Sequence, residues 1–177
     1  MTSAEPQTLV LVGPMGAGKT SIGKRVAKHL GTTFTDTDAA IVRAHGPIPQ
    51  LFVSHGEGHF RAIERDVVAA SLRLGGVVSL GGGSILDEHT RDDLQAHRVV
   101  FLTVEPRVIA GRLGEGGTKR PLLAGDEDPV TRWTRIFEER RPLYEAVADL
   151  TVDTSSGPLD RIAESIAEWA RTEGAKA

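Results

Sequence analysis

The chain has 177 residues, 40% hydrophobic and 25% charged, enough to bury one core and too few for a second domain. A net charge of −3 argues against a nucleic-acid or membrane-surface role, either of which favours a basic face, so small-molecule partners are expected. No cysteine is present, which excludes disulfides, thiolate metal sites and cysteine nucleophiles; with no leader-like N-terminus and no apolar run of ~20 residues, a soluble cytoplasmic protein is expected.

Leu9 to Val12 is a continuous apolar run suited to a buried parallel strand, and Ile22, Val26 and Leu30 then recur at helical spacing. Between them, Gly13-Pro14-Met15-Gly16-Ala17-Gly18-Lys19-Thr20 fits the phosphate-loop pattern G-x-x-x-x-G-K-[ST] at every specified position. Glycines let backbone N–H groups turn toward an anion, Lys19 can neutralise β- and γ-phosphate charge, and the Thr20 hydroxyl can ligate Mg²⁺. Gly31 is placed to cap the helix, and Thr32 to Thr35 forms a second short strand leading into Asp36-Thr37-Asp38. If the extended backbone continues, both carboxylates face one side, one for metal and one for an acceptor hydroxyl; the competing reading is a helix cap, with Asp38 before a helix from Ala39.

Residues 39 to 56 are less regular, broken by Gly46-Pro47 and Pro49, after which Phe60, Ile63, Val67, Ser71 and Leu74 mark a helical face ended by Gly75-Gly76. Arg61, at the margin of that face, reads as a surface charge paired with Glu64 at i+3. Val77 to Leu80 is a third strand running into Gly81-Gly82-Gly83, either a flexible turn or a place where ligand meets bare backbone. Ser79 reads as a satisfied buried hydroxyl or part of a metal-water shell. An acid-started helix precedes the strand Arg98 to Val104, and another helix runs to about Leu113. Residues 114 to 128, rich in glycine and acid and carrying Lys119-Arg120-Pro121, suit a mobile lid. Arg120 there is a cationic clamp or a solvated loop charge.

Pro129 opens a helix carrying Trp133, Ile136, Phe137 and Tyr144. Arg140 falls inside that apolar stripe, where an unpaired guanidinium is costly and an anionic partner is needed, unless Pro142 alters the phase and the side chain snorkels. Leu150 to Val152 is a fifth strand, Leu159, Ile162, Ile166 and Trp169 mark a last helix, and the tail from Thr172 is expected to fray. The six histidines show no ligand spacing and read as surface residues. The alternation implies an α/β three-layer fold, a parallel sheet with helices on both faces, whose ligand sits beyond the carboxyl ends of the strands.

Taken together, Gly13 to Thr20, Asp36-Thr37-Asp38, Phe60-Arg61-Ala62-Ile63-Glu64, Ser79 to Gly83, Arg120-Pro121-Leu122-Leu123 and Arg140-Arg141-Pro142-Leu143-Tyr144 resemble the shikimate kinase family in content, order and spacing over nearly the whole chain. That resemblance implies a phosphate-loop kinase fold with a five-stranded parallel sheet, in one domain over 1 to 177. It implies an acceptor-binding segment at about 36 to 64, a mobile lid and transfer of the ATP γ-phosphate to the 3-hydroxyl of shikimate. By the same resemblance Gly16, Ala17, Gly18, Lys19, Thr20 and Ser21 hold ATP, and Thr20 binds Mg²⁺ with Asp36 in its water shell. Asp38 binds the acceptor hydroxyl as base or orienter, Arg61 and Arg140 clamp a carboxylate, Gly82 offers backbone to the ring, and Arg120 closes on the phosphates. A monomer is expected. A related kinase for gluconate or a nucleotide is the alternative; a GTP switch needs an N-K-x-D motif, and this chain contains no asparagine.

Overall fold

The computed structural model describes residues 7–114 and 125–172. Its centre is a five-stranded sheet, formed by β1 (Leu9–Val12), β2 (Phe34–Asp36), β3 (Val77–Ser79), β4 (Arg98–Thr103) and β5 (Leu150–Asp153). All pairs are parallel and the order is β2-β3-β1-β4-β5. The central strand β1 is uninterrupted Leu-Val-Leu-Val and buried at every position, as a strand covered on both faces must be.

Among the described residues seven α-helices surround the sheet: α1 (Lys19–Leu30), α2 (Thr37–His45), α3 (Ile48–Leu74), α4 (Glu88–Leu94), α5 (Pro106–Gly114), α6 (Pro129–Val147) and α7 (Leu159–Thr172). Alternation along a strand sorts them into layers. Leu11 faces α1, where its side chain lies against Gly23. The next residue, Val12, is in register with Phe101, and Phe101 stacks on Tyr144 of α6 with ring centroids 5.2 Å apart. One face of the sheet is therefore covered by α1, itself packed on α7, and the other by α6. Among the described residues no helix is long and apolar enough to cross a membrane.

Several expectations shift in register or kind. The acid pair is not a strand continuation. Asp36 ends β2 and caps α2, its carboxylate accepting from the Ala39 amide at 3.1 Å, so Asp38 sits in the first helical turn. The cap is thus Asp36, two residues earlier than the cap reading placed it. Residues 39 to 56 are mostly helical: Gly46 and Pro47 separate α2 from α3, and Gly56, at φ 81 and ψ 170, leaves the helical region and divides α3 into two helical pieces. Leu74 is 75% exposed because it lies in the last turn of α3, past the point where that helix meets the sheet. His97 is buried, accepting from the Thr8 backbone N–H at 3.4 Å, so one of the six histidines is not on the surface. Pro142 lies in the middle of α6, which continues through it to Val147. Of the expected lid, 115 to 124 and with it Arg120 to Leu123 lie outside the described residues. Its far end is anchored, for Asp128 caps α6 through the Thr131 amide and Glu127 pairs with Arg135 at 2.9 Å. Of the expected tail, Thr172 closes α7 and 173 to 177 lie outside the described residues.

Candidate active site

At the carboxyl ends of the strands lies a cavity of about 1010 Å³, reaching from the phosphate loop to the glycine segment after β3. Its phosphate end is shaped by where the loop's carbonyls go. Lys19 Nζ donates to Gly13 O at 2.8 Å and Pro14 O at 2.9 Å. Met15 O takes the Trp133 indole N–H at 2.8 Å, Gly16 O takes Arg112 at 2.7 Å, and Ala17 O takes the Thr154 hydroxyl at 2.7 Å. Each carbonyl from Gly13 to Ala17 is thus drawn into the protein. The amides of Gly16, Gly18 and Thr20, which have no acceptor among the described residues, are left to meet an anion at the start of α1. The Ala17 amide closes the loop's own turn onto Pro14 O at 3.3 Å, and Ser21, in the first turn of α1, lines the cavity beside them.

Thr20 and Asp36 meet directly, hydroxyl to carboxylate, at 2.6 Å. The other oxygen of Asp36 holds α2, so this one side chain ties the phosphate loop to the segment that carries Asp38. The pair offers hard oxygen donors at the mouth of an anion site, a set suited to Mg²⁺, which is commonly held by one or two protein oxygens with phosphates and water completing the shell. Among the described residues no group of three or more His, Asp or Glu side chains forms a protein-only metal cage.

Asp38 is strongly altered by its surroundings. Its pKa is raised from 3.8 to about 6, first by burial and then by the charge of Asp36, while Lys19 opposes the rise. A carboxylate poised near neutrality beside a phosphate loop can accept a proton or a hydrogen bond from a substrate hydroxyl.

At the far end of the cavity Arg61 and Arg140 arrive from α3 and α6. Arg61 pairs with Glu64 at 2.7 Å, as its i+3 spacing suggests, and with Glu57 at 3.3 Å. Glu64, however, is buried, and its second oxygen accepts from Ser84 at 2.9 Å, so the pair is a fixed mount for a guanidinium instead of a solvated surface bridge. Among the described residues no carboxylate pairs with Arg140, while its neighbour Arg141 takes Glu145 and Glu138. Phe52 and Phe60, rings 4.7 Å apart, add an apolar wall.

The glycine triplet has two functions. At Gly82, a Cβ would sit at van der Waals distance, 3.5 to 3.7 Å, from Gly13 O, Met15 N and the Tyr144 hydroxyl, so this glycine lies on the cavity wall between the phosphate loop and α6. At Gly81 a Cβ would lie 2.6 Å from Asp38 Oδ1, and at Gly83 2.3 Å from the Arg61 guanidinium. Those two glycines exist to let Asp38 and Arg61 seat against bare backbone. Ser79 is buried at the end of β3 and lines the cavity.

Lys19, Thr20, Asp36, Asp38, Arg61, Gly82 and Arg140 therefore share one cavity, although they come from five separate stretches of sequence. Arg120 lies outside the described residues. Trp133, Arg112 and Thr154, which brace the loop, carry no local motif beyond the apolar stripe around Trp133, and Glu64, which fixes Arg61, is marked beforehand by its i+3 spacing and its place in the Phe60 to Glu64 stretch but not by its burial.

Comparison with known proteins agrees with this geometry. A family model described as shikimate kinase matches residues 15–171. A shikimate kinase of Thermobifida fusca is 48% identical over 161 residues, covering 90% of this chain and 92% of the relative. One of Salinispora arenicola is 44% identical over 160 residues, covering 89% and 94%. Among solved structures, shikimate kinase from Acinetobacter baumannii in complex with shikimate superposes with a TM-score of 0.88 at 33% identity, covering 96% of each chain. With a phosphate loop, two carboxylates and two arginines set around one cavity, and with a match spanning nearly its whole length, this chain belongs to the shikimate kinase family.

Proposed function

We propose that this protein transfers the γ-phosphate of ATP to the 3-hydroxyl of shikimate, giving shikimate 3-phosphate and ADP. The observation that carries the reading is the convergence of Asp38, Arg61 and Arg140 on one cavity with the phosphate loop. A compact acceptor bearing both a hydroxyl and a carboxylate matches that set; one lacking a carboxylate leaves the guanidinium of Arg140 without an anion. A monomer is the working unit in this reading.

The roles are those the family resemblance implies, and position supports them for the described residues. The inward-facing amides and Lys19 hold the nucleotide phosphates, and Lys19 exchanges its two loop carbonyls for phosphate oxygens. Thr20, with Asp36 through water, would hold Mg²⁺, which when bound neutralises phosphate charge. Asp38 receives the acceptor hydroxyl and orients or deprotonates it, Gly82 meets the ring through backbone, and Arg61 and Arg140 grip the carboxylate. Little covalent chemistry is asked of the protein, because phosphoryl transfer is governed by positioning and charge neutralisation. Arg120 is assigned to closure over the phosphates on family resemblance alone.

The carboxylate clamp is testable apart from the nucleotide site. A guanidinium presents a planar fork and lysine a point charge, so Arg140→Lys is expected to raise the KM for shikimate while leaving that for ATP nearly unchanged. Loss of one charge-assisted contact, roughly 1.5 to 3 kcal/mol, corresponds to a rise of about 10- to 150-fold where KM tracks affinity. A shikimate analogue with a neutral carboxamide is expected to bind wild type poorly and to be little affected by Arg140→Ala; equal binding of acid and amide by wild type removes the clamp. The glycine mount gives a second handle. Gly83→Ala puts a methyl where the Arg61 guanidinium lies, and that flexible tip moves at little cost to the fold. Its expected signature is an unchanged Tm with a raised shikimate KM, whereas an unaltered KM shows that Arg61 does not bind from this seat.

A further inference from the structure

Tyr144 is the only tyrosine of the chain and among its most deeply buried large side chains. Its ring is stacked on Phe101, and its phenol O–H donates to the backbone carbonyl of Gly82. Burial pushes the phenol pKa to about 12, against the opposing charge of nearby Arg140, so the hydroxyl keeps its proton, and its capacity to donate, throughout the neutral range. Other backbone groups of the triplet are held from nearby: Gly81 N–H by the Thr37 hydroxyl, Gly81 O by the Ser84 amide and Gly83 O by the Leu86 amide. Between these anchors the peptide joining Gly82 to Gly83 has glycine on both sides, the backbone with the widest conformational freedom. The phenol is what fixes it. Because a trans peptide is planar, tying Gly82 O toward α6 turns the Gly83 N–H the opposite way. The same helix carries Arg140 one turn before Tyr144.

We infer that Tyr144 is a positioning residue for the acceptor, its hydroxyl locking the Gly82–Gly83 peptide in register with Arg140 so that ring and carboxylate are presented to Asp38 together. The inference rests on the acceptor reading above. It adds a role to a residue that otherwise reads as core packing, since stacking and burial require the ring but not the oxygen.

Tyr144→Phe keeps the ring and removes the hydroxyl. The KM for shikimate is expected to rise about 5- to 10-fold, the size of one lost neutral hydrogen bond, with the KM for ATP altered less than 2-fold. A purely structural hydroxyl lowers Tm without separating the two constants. An unchanged shikimate KM, or equal rises in both, overturns the inference while leaving wild-type turnover of shikimate, and so the proposed function, intact. Wild type that fails to phosphorylate shikimate removes both. A second measurement does not depend on the variant folding: protein labelled with 3-fluorotyrosine has a single ¹⁹F resonance. Saturating shikimate without nucleotide is expected to shift that line, and a line unmoved by shikimate overturns the inference.

Discussion

Replacing Lys19 with alanine is expected to reduce turnover about 10³-fold or more while the far-ultraviolet circular dichroism stays that of wild type. A cation aimed at transferring charge in a site that excludes water is among the largest single contributions a phosphotransferase can make. The fold should survive because Met15, Gly16 and Ala17 are braced independently of Lys19 by Trp133, Arg112 and Thr154, while the Lys19 amine donates to Gly13 O and Pro14 O of its own loop. Turnover and spectrum measured on one preparation separate the two effects, and near-normal turnover with an intact spectrum removes the phosphate-loop assignment.

Asp38→Asn is the second large effect, and it has opposite signs in activity and stability. Loss of a base or orienter is expected to lower kcat by about 10² to 10⁴. Stability should rise. The folded state holds the Asp38 proton more tightly than the unfolded chain, with a pKa raised from 3.8 to about 6, chiefly by burial. The favourable contribution of this group is therefore fully present below pH 3.8 and is lost as pH increases through 6, so ionised Asp38 costs stability at neutral pH. A shift of this size corresponds to about 1 to 3 kcal/mol after allowance for partial solvent contact, or several degrees in Tm for a chain of this length. The same titration sets an acid limb in wild type: kcat/KM is expected to fall about tenfold per pH unit below about 6, and the limb should be missing from the residual activity of Asp38→Asn. A variant that lost activity and stability together would mean that the carboxylate holds the fold and that its acceptor role is wrong.

Much of this site was legible in the sequence because its parts are short motifs at strand ends. The apolar run before Gly13 and the helical spacing after Thr20 fix the phosphate loop in context, and the alternation of strands and helices gives a parallel sheet with its site at the carboxyl edge. The Asp36-Thr37-Asp38 stretch was harder, since period-2 placement and a helix cap make the same two carboxylates available to one cavity. The structure takes the cap, on Asp36, whose other oxygen still meets Thr20. Glu64 and Tyr144 were the least visible. Nothing local distinguishes an i+3 surface pair from a buried mount, or a core tyrosine from one whose oxygen fixes a peptide 62 residues away, because both depend on what the glycine segment places against them. His97 was misread for a similar reason, its partner Thr8 lying 89 positions earlier.

The central claim is phosphate transfer to shikimate, and it is tested most directly by ADP release from purified protein with MgATP and one acceptor at a time: shikimate, gluconate or a nucleoside monophosphate. The product is then located by ³¹P–¹H correlation. ADP release that depends on shikimate is expected, with phosphorus coupled to the proton at carbon 3. Release driven by gluconate or a nucleotide in preference to shikimate, or phosphorus found on another hydroxyl, would contradict it.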